Sequence, residues 1–500
     1  MAQVPTLRIR PINTAPVAEG DYVVYWMIAQ RRLRSNFALD RAIEWCQQLG
    51  KPLVVFEPLR LGYRWASDRH HAFVIQGMRD HAAQAAGAGV TYVPWVERSV
   101  DDGKGLLEAL AKRAAVVVTD DWPCFFLPRM VAAAGARLRV LLEAVDGAGM
   151  LPVRAADRAF GRAFDLRRFL QKNLPDHLGD RPRKDPLRSA AKFGHASLEP
   201  GLVRRLKKGV VDFDRPLSEL LAELPIDHAV PPSAVLTGGA SAAHAQLRHF
   251  LAEGLPRYGE ERSHPDADAQ SNLSPWLHFG HLGVHEVFEA VTSAEDWSID
   301  RLSEKVSGSN QGWWGTSATA ESFLDELITW RELGLNFCHF QPDDYDRYES
   351  LPGWARASLE AHRADPRPHL YTPAELANGE TDDEIWNAAA NQLRTEGRLH
   401  NYLRMLWGKR VLEWTPGPRE ALEVLVDLNN RYALDGRDPN SYSGIFWCLG
   451  RYDRPWAPQR EIFGMIRYMS SANTRRKLRL NNYLARYRNP AGRGLLPGFA

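Results

Sequence analysis

The chain has 500 residues, which is long enough to bury a large hydrophobic core. Its formal net charge is only +2, so the overall electrostatic field does not favour binding of nucleic acid. Its four cysteines are far apart in the sequence and do not have the spacing of a metal-binding motif. They are more typical of buried free thiols in a reducing compartment than of a disulfide framework. No secretory segment opens the sequence and no apolar run is long enough to span a bilayer. We therefore expect a cytoplasmic protein of two or three domains, with neither a metal site nor a membrane partner.

Residues 1–150 alternate strand-like and helix-like segments. Valine-rich runs bounded by turn residues predict buried strands at 21–27, 51–58, 89–95, 114–120 and 136–144. Segments 35–50 and 68–89 place apolar residues at helical spacing and end in glycine. This alternation predicts an α/β domain with a doubly wound, Rossmann-like parallel sheet. No GxGxxG or GxxxxGK[ST] motif follows any strand, so neither a dinucleotide fingerprint nor a P-loop is supported.

The rest of the chain changes character. Residues 151–245 are mixed and basic, and we interpret them as an interdomain connection with some helical turns, because charge runs are usually solvated. Residues 246–485 are almost wholly helical in pattern, which predicts an all-α domain. The Gly- and Pro-rich end, 486–500, is predicted to be a flexible tail.

The stretch 400–447 contains the largest number of candidate functional residues. LRMLWGKRVLEW has a helical rhythm, so Arg404 and Trp407, three residues apart, share a face. Trp407 and Trp414 are separated by two turns, roughly 10 Å along the axis. An amide- and acid-rich turn follows, with Asn429, Asp435, Asp438 and Asn440, and is closed by Trp447. A cation, a carboxylate and several indoles suit an aromatic cofactor better than a phosphate or a metal.

Two other helices carry candidate residues. Ser274 followed by Pro275 predicts an N-cap with proline at the first helical position, and such a helix start can bind phosphate. Glu326 and Trp330 are four residues apart and lie on one helix face. From spacing alone, a plain helix cap and a solvent-exposed carboxylate are the favoured interpretations.

Ordered motifs across the chain resemble those of class II cyclobutane pyrimidine dimer photolyases. They are YWM (25–27), RRLRSNFAL (31–39), SNLSPWLHFG (271–280), GWWG (312–315), DELITWREL (325–333), LRMLWGKRVLEW (403–414), LNNRYALDGRDP (428–439), IFW (445–447) and REIFGMIRYM (460–469). The resemblance implies the photolyase/cryptochrome fold, with an antenna-pigment domain over 1–150 and an FAD-binding catalytic domain over 246–485. The pigment would be of the deazaflavin or folate type. The implied activity is light-dependent splitting of pyrimidine dimers in UV-damaged DNA by a monomeric enzyme.

The resemblance also assigns the flavin site. Ser271, Asn272, Leu273 and Ser274 would hold the diphosphate and ribityl part of FAD. Arg404 and Asp435 look like the buried ion pair beside the flavin ring, where each charge requires the other. The remaining cofactor candidates are Tyr258, Asn401, Asn429 and Asn440.

For catalysis, the resemblance places Glu326, Trp330, Trp447 and Asn429 around the lesion. Glu326 would be kept protonated by burial and donate a hydrogen bond to a thymine carbonyl. A dimer must flip out of the duplex to reach this pocket. The two indoles would form its walls, and each base that stacks on an aromatic ring contributes about 1–3 kcal/mol. A second set of indoles would relay electrons to oxidised flavin, with Trp407 nearest the flavin, then Trp386, then Trp414 outermost.

The C-terminal part is rich in cations that suit phosphate contacts. The predicted DNA-binding residues are Arg451, Arg454, Arg467, Arg475, Arg476 and Lys477, and the loop 451–461 is expected to enter the gap left by a flipped dimer. A solvated basic face is the alternative interpretation of these charges.

The sequence departs from the family at Trp276 and Leu406, where tyrosine is expected, and at Gly408, where alanine is expected. Three alternatives stay open: a cryptochrome-type flavin photoreceptor without repair activity, a (6-4) photolyase, and a DNA-binding helical module without cofactor. A photoreceptor need not keep Glu326 together with Trp330 and Trp447. A (6-4) enzyme would need pocket histidines that these motifs lack.

Overall fold

The computed structural model describes residues 3–488. Its sheet consists of β1 (Ile9–Pro11), β2 (Tyr22–Trp26), β3 (Leu53–Leu59), β4 (Thr91–Val96), β5 (Ala114–Asp120) and β6 (Leu142–Val145). The six strands lie in the order β1-β6-β5-β2-β3-β4, and every neighbouring pair is parallel except β1 with β6. The doubly wound sheet is therefore confirmed, and each of the five predicted segments contains a strand. The last one, predicted over 136–144, is shorter and begins only at Leu142. The strand order reverses between β2 and β5, which is where an open α/β sheet forms a ligand crevice.

Strand β1 is the one that the sequence did not predict. It pairs Ile9 with Val145 in an antiparallel register at the sheet edge. The strand has only three residues, and Arg10 and Pro11 are exposed. A segment this short, polar and proline-terminated has no alternating pattern, and such residues are typical of edge strands.

Helices cover both faces of this sheet: α1 (Phe37–Leu49), α2 (Asp68–Ala88), α3 (Leu106–Ala111) and α4 (Leu127–Gly135). Helix α1 begins where the Asn36 side chain accepts hydrogen bonds from the amides of Ala38 and Leu39, at 3.0 and 3.4 Å. It ends at Gly50, whose φ of 68° favours glycine. Helix α2 ends in the same way, so the glycine stop signals in the sequence were correct.

The remainder of the described chain is helical. Its helices are α5 (Ala163–Asn173), α6 (Leu187–Ala190), α7 (Pro200–Leu206), α8 (Leu217–Ala222), α9 (Ala240–His249), α10 (Leu255–Glu261), α11 (Ser274–Phe279), α12 (Val284–Ala294), α13 (Ala318–Leu324), α14 (Arg331–Phe340), α15 (Gly353–Ala361), α16 (Pro373–Asn378), α17 (Glu384–Glu396), α18 (Asn401–Trp414), α19 (Pro418–Tyr432), α20 (Pro439–Cys448), α21 (Ser471–Lys477) and α22 (Asn481–Tyr487). Two π-helical turns, Phe250–Gly254 and Asp325–Trp330, join α9 to α10 and α13 to α14. None of the described helices is long and apolar enough to cross a membrane.

Two arginines of the basic segment 151–245 pair with buried carboxylates on either side of it. Arg183 binds Asp40 of α1 at 2.9 Å, and Arg167 binds both oxygens of Asp325 at 2.7 and 3.0 Å. The segment is thus clamped to its neighbours at these points rather than only solvated. At the other end of the chain, α22 runs through the start of the tail predicted at 486, and residues 489–500 of that tail lie outside the described part.

A buried carboxylate fixes the junction between the sheet and the helical part. Asp120, at the end of β5, accepts hydrogen bonds from the amides of Ile28, Ala29 and Gln30 at 2.7–3.0 Å. Gly280, just after α11, lies against this loop, and a Cβ there would be 2.2 Å from the carbonyl oxygen of Ala29. The close approach and the φ of 75° require glycine, and they seat α11 against the sheet.

Candidate functional site

Three predicted cofactor residues from distant parts of the chain meet at one carboxylate. Arg404 of α18 donates to both oxygens of Asp435, at 3.0 and 3.1 Å. The hydroxyl of Ser274 donates to the same carboxylate at 2.8 Å. The Arg404 and Asp435 side chains are 19% and 13% exposed, so this is a largely buried ion pair. The structure thus brings the two halves of the predicted flavin site together.

Ser274 reaches Asp435 because it is not a helix cap. Helix α11 begins at Ser274 itself, Pro275 is its second residue, and Leu273 precedes it without a side-chain cap. This corrects the predicted N-cap, since the hydroxyl bonds to a carboxylate across the site instead of to its own helix. Leu273 is buried, whereas Ser271 and Asn272 are partly exposed and form the approach to α11.

The turn after α19 is held by amide side chains. Asn430 accepts a hydrogen bond from the amide of Arg437 at 2.8 Å, and Asp438 caps α20 by accepting from the amide of Asn440 at 2.8 Å. Asn429 is buried and donates to Ser441 at 2.5 Å. The side chain of Asn440 is exposed at the start of α20, as is that of Asn401 at the start of α18. Their contact with a flavin stays a prediction.

Glu326 has a partner that the sequence did not indicate. Arg262, just after α10, forms an ion pair with it and also lies over the ring of Tyr258, 5.5 Å from its centroid. Burial raises the pKa of Glu326 above its ordinary value, and the Arg262 guanidinium opposes that rise. Tyr258 is buried between Phe250 and Phe323. The predicted cofactor tyrosine and the predicted catalytic carboxyl therefore share one cation.

Glu326 and Trp330 lie on the π-helical turn Asp325–Trp330, not on regular α-helix as their spacing predicted. π-Helical turns occur often at functional sites. The turn is anchored by the Arg167 pair to Asp325. Trp447 comes from another element, α20, which packs on α14 through Phe337 and Phe446 with ring centroids 5.8 Å apart.

The three predicted relay indoles form a continuous stack. Trp386 of α17 lies parallel to Trp407, with centroids 5.4 Å apart and planes at 7°. Trp414 meets the same Trp386 edge-on at 5.5 Å. Trp386 is thus the middle member, in the order that the resemblance implied. Trp414 is itself buried, and it is covered by Arg410 at 4.3 Å and by Tyr371 at 5.2 Å.

Trp447 belongs to a row in which cationic side chains and indole rings alternate. The ammonium of Lys409 lies 4.9 Å and the guanidinium of Arg467 lies 5.7 Å from its ring. Arg467 also contacts Trp456 at 4.9 Å, and Arg454 lies over the same ring at 4.6 Å. The loop that carries Arg454 is largely exposed. This row connects a predicted pocket wall with the surface predicted to meet DNA.

Arg451 is predicted to bind DNA, but the structure buries its side chain. It is 7% exposed, donates to Gln341 at 2.7 Å and lies 3.9 Å from the ring centroid of Phe337. A guanidinium used in this way holds α14 and cannot reach a phosphate. Among the others, Arg475 pairs with Glu384, and within residues 3–488 no carboxylate lies within salt-bridge distance of Arg454, Arg467, Arg476 and Lys477.

A cleft opens at the carboxyl ends of the strands, where the strand order reverses. Its walls are aromatic and cationic, including Tyr63, Phe125, Phe279, Arg31 and Arg437. Arg437 is 5% exposed and lies 5.6–6.0 Å from the three aromatic rings. Its Nη2 is buried without a hydrogen-bond partner, which indicates that an acceptor belongs there.

Comparison with known proteins identifies the family. No protein-family model matches the chain. The deoxyribodipyrimidine photo-lyase of Methanothermobacter thermautotrophicus is 35% identical over 484 residues, which cover 96% of this chain and 98% of the relative. The chain belongs to the deoxyribodipyrimidine photo-lyase family. The predicted light-dependent DNA-repair enzyme is thereby confirmed over the cryptochrome alternative.

Solved structures support the fold. A class III photolyase from Agrobacterium tumefaciens matches with a TM-score of 0.67 and 17% identity, over 95% of this chain and 88% of that one. A cryptochrome from Synechocystis sp. PCC6803 matches with a TM-score of 0.62 and 15% identity, over 93% and 88%. The fold is thus shared by repair enzymes and cryptochromes, and the sequence relatives decide between them.

The residues fit FAD, the cofactor of this family. The indole N–H of Trp407 is buried without a partner, one turn from Arg404 on α18. An unpaired buried donor beside an ion pair fits a ligand that is aromatic and carries acceptors. Ser274, Arg404 and Asp435 would hold it, with Tyr258 on the side of the Glu326 pair.

Two residues at the site escaped sequence reasoning. Arg262 carries no motif, and its partner Glu326 is 64 residues away. Lys409 stands in LRMLWGKRVLEW, where one more lysine on a helix attracts no notice. The buried residues of α18 lie all around the helix, so the spacing of its apolar residues does not mark this lysine as buried.

Proposed function

We propose that this chain is a class II photolyase that splits cyclobutane pyrimidine dimers in DNA, acting as a monomer. The observation that carries the proposal is the meeting of Ser274, Arg404 and Asp435, which brings the two motif regions together at the place where the cofactor would bind. Bound reduced FAD would supply the photoexcited electron that opens the cyclobutane ring. The protein's task is to hold the cofactor and the lesion in place and to exclude water.

Trp330 and Trp447 are the proposed walls for the flipped bases. Both are partly buried indoles, so each can offer one face to a base while the other packs on the protein. The Arg467 and Arg454 row leads outward from Trp447, which suits a lesion that arrives from the duplex. Stacking on such walls is worth about 1–3 kcal/mol per base.

Glu326 is the proposed hydrogen-bond donor to a thymine carbonyl. Its raised pKa keeps a proton on the carboxyl to a higher pH than in water. Arg262 tunes this property, because its positive charge favours the ionised form. A protonated donor stabilises negative charge that develops on the carbonyl oxygen.

The Trp414–Trp386–Trp407 stack is the proposed path for an electron into the site. The centroids of adjacent rings are 5.4 and 5.5 Å apart, so an electron would pass only between indoles that are in contact. Tyr371 covers Trp414 and is 8% exposed, which leaves the outer end of the path close beneath the surface.

The cleft beside β2 and β5 is the proposed site of the antenna pigment. Aromatic walls suit a planar ring system, and the unpaired Nη2 of Arg437 suits an acceptor or anionic substituent on it. A pigment of the deazaflavin type or the folate type would meet these requirements.

The deciding experiment mixes the reduced protein with dimer-containing DNA in blue light and in darkness. We expect restored pyrimidines only in light, and equal results in both arms would refute the proposal. The same assay on (6-4) lesions tests the alternative substrate. A Ser274→Ala, Asp435→Asn double variant, which disrupts the cofactor site, is the matched negative control.

A further inference from the structure

Lys409 is a fully buried cation next to a proposed substrate wall. It lies on α18 and is 0% exposed. Its ammonium donates to the carbonyl oxygen of Cys448 at 2.7 Å, and no carboxylate in residues 3–488 lies within salt-bridge distance of it. Burying a lysine without a carboxylate is costly, so the position is expected to serve a purpose.

The ammonium occupies the C-terminal end of α20. Cys448 is the last residue of that helix, whose terminal carbonyls lack partners within the helix and carry the negative end of its dipole. Gly408 lets α18 come close enough, since a Cβ there would be 2.5 Å from the Sγ of Cys448. The glycine that departs from the family pattern is therefore what allows this approach.

The same ammonium lies 4.9 Å from the ring centroid of Trp447, the residue before Cys448. The ammonium thus contacts α20 at two points, through the hydrogen bond to its last carbonyl and through the neighbouring indole ring. A desolvated cation over a tryptophan face is a strong form of this contact. Arg467 contacts the same ring from an exposed position, at 5.7 Å.

We propose that Lys409 is a positioning residue for Trp447: anchored at the end of α20, it holds the indole in the orientation that receives the flipped dimer. This inference rests on the proposed function, in which Trp447 is a wall of the lesion pocket. A wall that is fixed before binding loses no rotamer freedom when the lesion arrives, so Lys409 strengthens recognition of the lesion without touching it.

The first test is Lys409→Met, which keeps the apolar stem and removes the charge. We expect affinity for dimer-containing DNA to fall about tenfold, because the indole is no longer held. Affinity for undamaged DNA, flavin content and photoreduction should be unchanged. Lys51→Met, in the loop before β3, is the control.

A second test asks whether Lys409 acts through Trp447. In a Trp447→Phe background, Lys409→Met should cause no further loss of dimer affinity. A full additional loss would overturn the inference, as would unchanged dimer affinity in the single variant or an equal loss on undamaged DNA. A wild-type chain that does not prefer dimer-containing DNA would instead refute the proposed function.

A third test needs no variant and uses pH. Burial lowers the pKa of Lys409 to about 8, with Asp453 opposing and Arg467 assisting the change. Of the other groups around the ammonium, the Cys448 thiol has a pKa raised by burial to about 11. The preference of the wild type for dimer over undamaged DNA should therefore decrease as the pH rises through about 8. A preference that is constant between pH 7 and pH 9.5 would contradict the inference.

Discussion

Arg404 donates to both oxygens of Asp435 across 31 positions of sequence, at 3.0 and 3.1 Å. Ser274, 161 positions from Asp435, adds a third hydrogen bond to the same carboxylate. With the two charged side chains only 19% and 13% exposed, neither charge is stable there without the other. This carboxylate is the point at which α11, α18 and the turn before α20 are held in register.

Asp435→Asn should weaken the site and the fold together. It leaves Arg404 largely buried without its counter-charge, at a cost of about 3 kcal/mol in the free energy of unfolding. We expect the purified variant to lose most of its flavin, as measured by the absorbance that remains after gel filtration. The control is Asp427→Asn, which breaks an exposed pair with Arg64 and should cost less than about 1 kcal/mol. Full flavin retention by the Asp435 variant would contradict this role.

Trp386→Phe should abolish photoreduction although Trp386 is the middle of the stack. The substitution removes the ring that bridges Trp407 and Trp414, at 5.4 and 5.5 Å. Trp407→Phe should do the same, and both variants should still repair dimers after chemical reduction. The measurement is the rate of flavin bleaching under blue light, with the distant Trp45→Phe as control. Wild-type photoreduction in either relay variant would exclude this path.

Local patterns in the sequence were sufficient for the fold, but not for contacts between distant segments. The valine runs of β2, β3 and β5 and the glycine stops of α1 and α2 are local signals, and each was correct. Strand β1 is defined by its partner Val145, and the π-helical turn at Asp325–Trp330 by tertiary packing, so neither has a signal in the sequence. Family motifs named Arg404, Asp435 and Trp386 without showing that they touch anything.

The same reasoning explains the errors at individual side chains. Arg451 and Arg454 are both arginines in one loop and look alike in sequence, yet burial against Phe337 separates them. No local pattern marks Arg262, because its function depends on Glu326, which is 64 residues away. Charge alone does not tell whether an arginine faces solvent, a ring or a carboxylate, and only the packed structure decides.

Glu326→Ala should lower the repair yield by about tenfold or more while flavin stays bound, because one hydrogen bond to the developing charge is lost. Glu326→Gln keeps a donor and the side-chain shape, so it should retain more activity than the alanine variant. The measurement is the repair yield per absorbed photon at saturating dimer DNA. Loss of flavin from either variant would show that Glu326 supports the cofactor rather than the lesion.

Arg262→Met should extend repair to higher pH. Burial raises the pKa of Glu326 and the Arg262 guanidinium opposes that rise, so removing the guanidinium should raise the pKa of this carboxyl further. Repair by a protonated carboxyl is lost as the pH rises through its pKa, and this alkaline limb should therefore move upward in the variant. Arg257→Met, which removes an exposed pair with Glu261 on the same helix, is the control. An unchanged limb would show that repair does not depend on the Glu326 proton.

Arg476→Ala should weaken DNA binding, whereas Arg451→Ala should lower stability. Arg476 is exposed on α21, so its loss should weaken binding to all DNA alike and reduce the salt slope by about 1, with unchanged stability. Arg451 is buried on Phe337 and donates to Gln341, so its loss should lower the free energy of unfolding by about 3 kcal/mol. Salt titrations of DNA affinity and denaturant unfolding separate the two cases. An Arg451→Ala variant that is as stable as the wild type and binds DNA more weakly would show that Arg451 contacts DNA and does not support the fold.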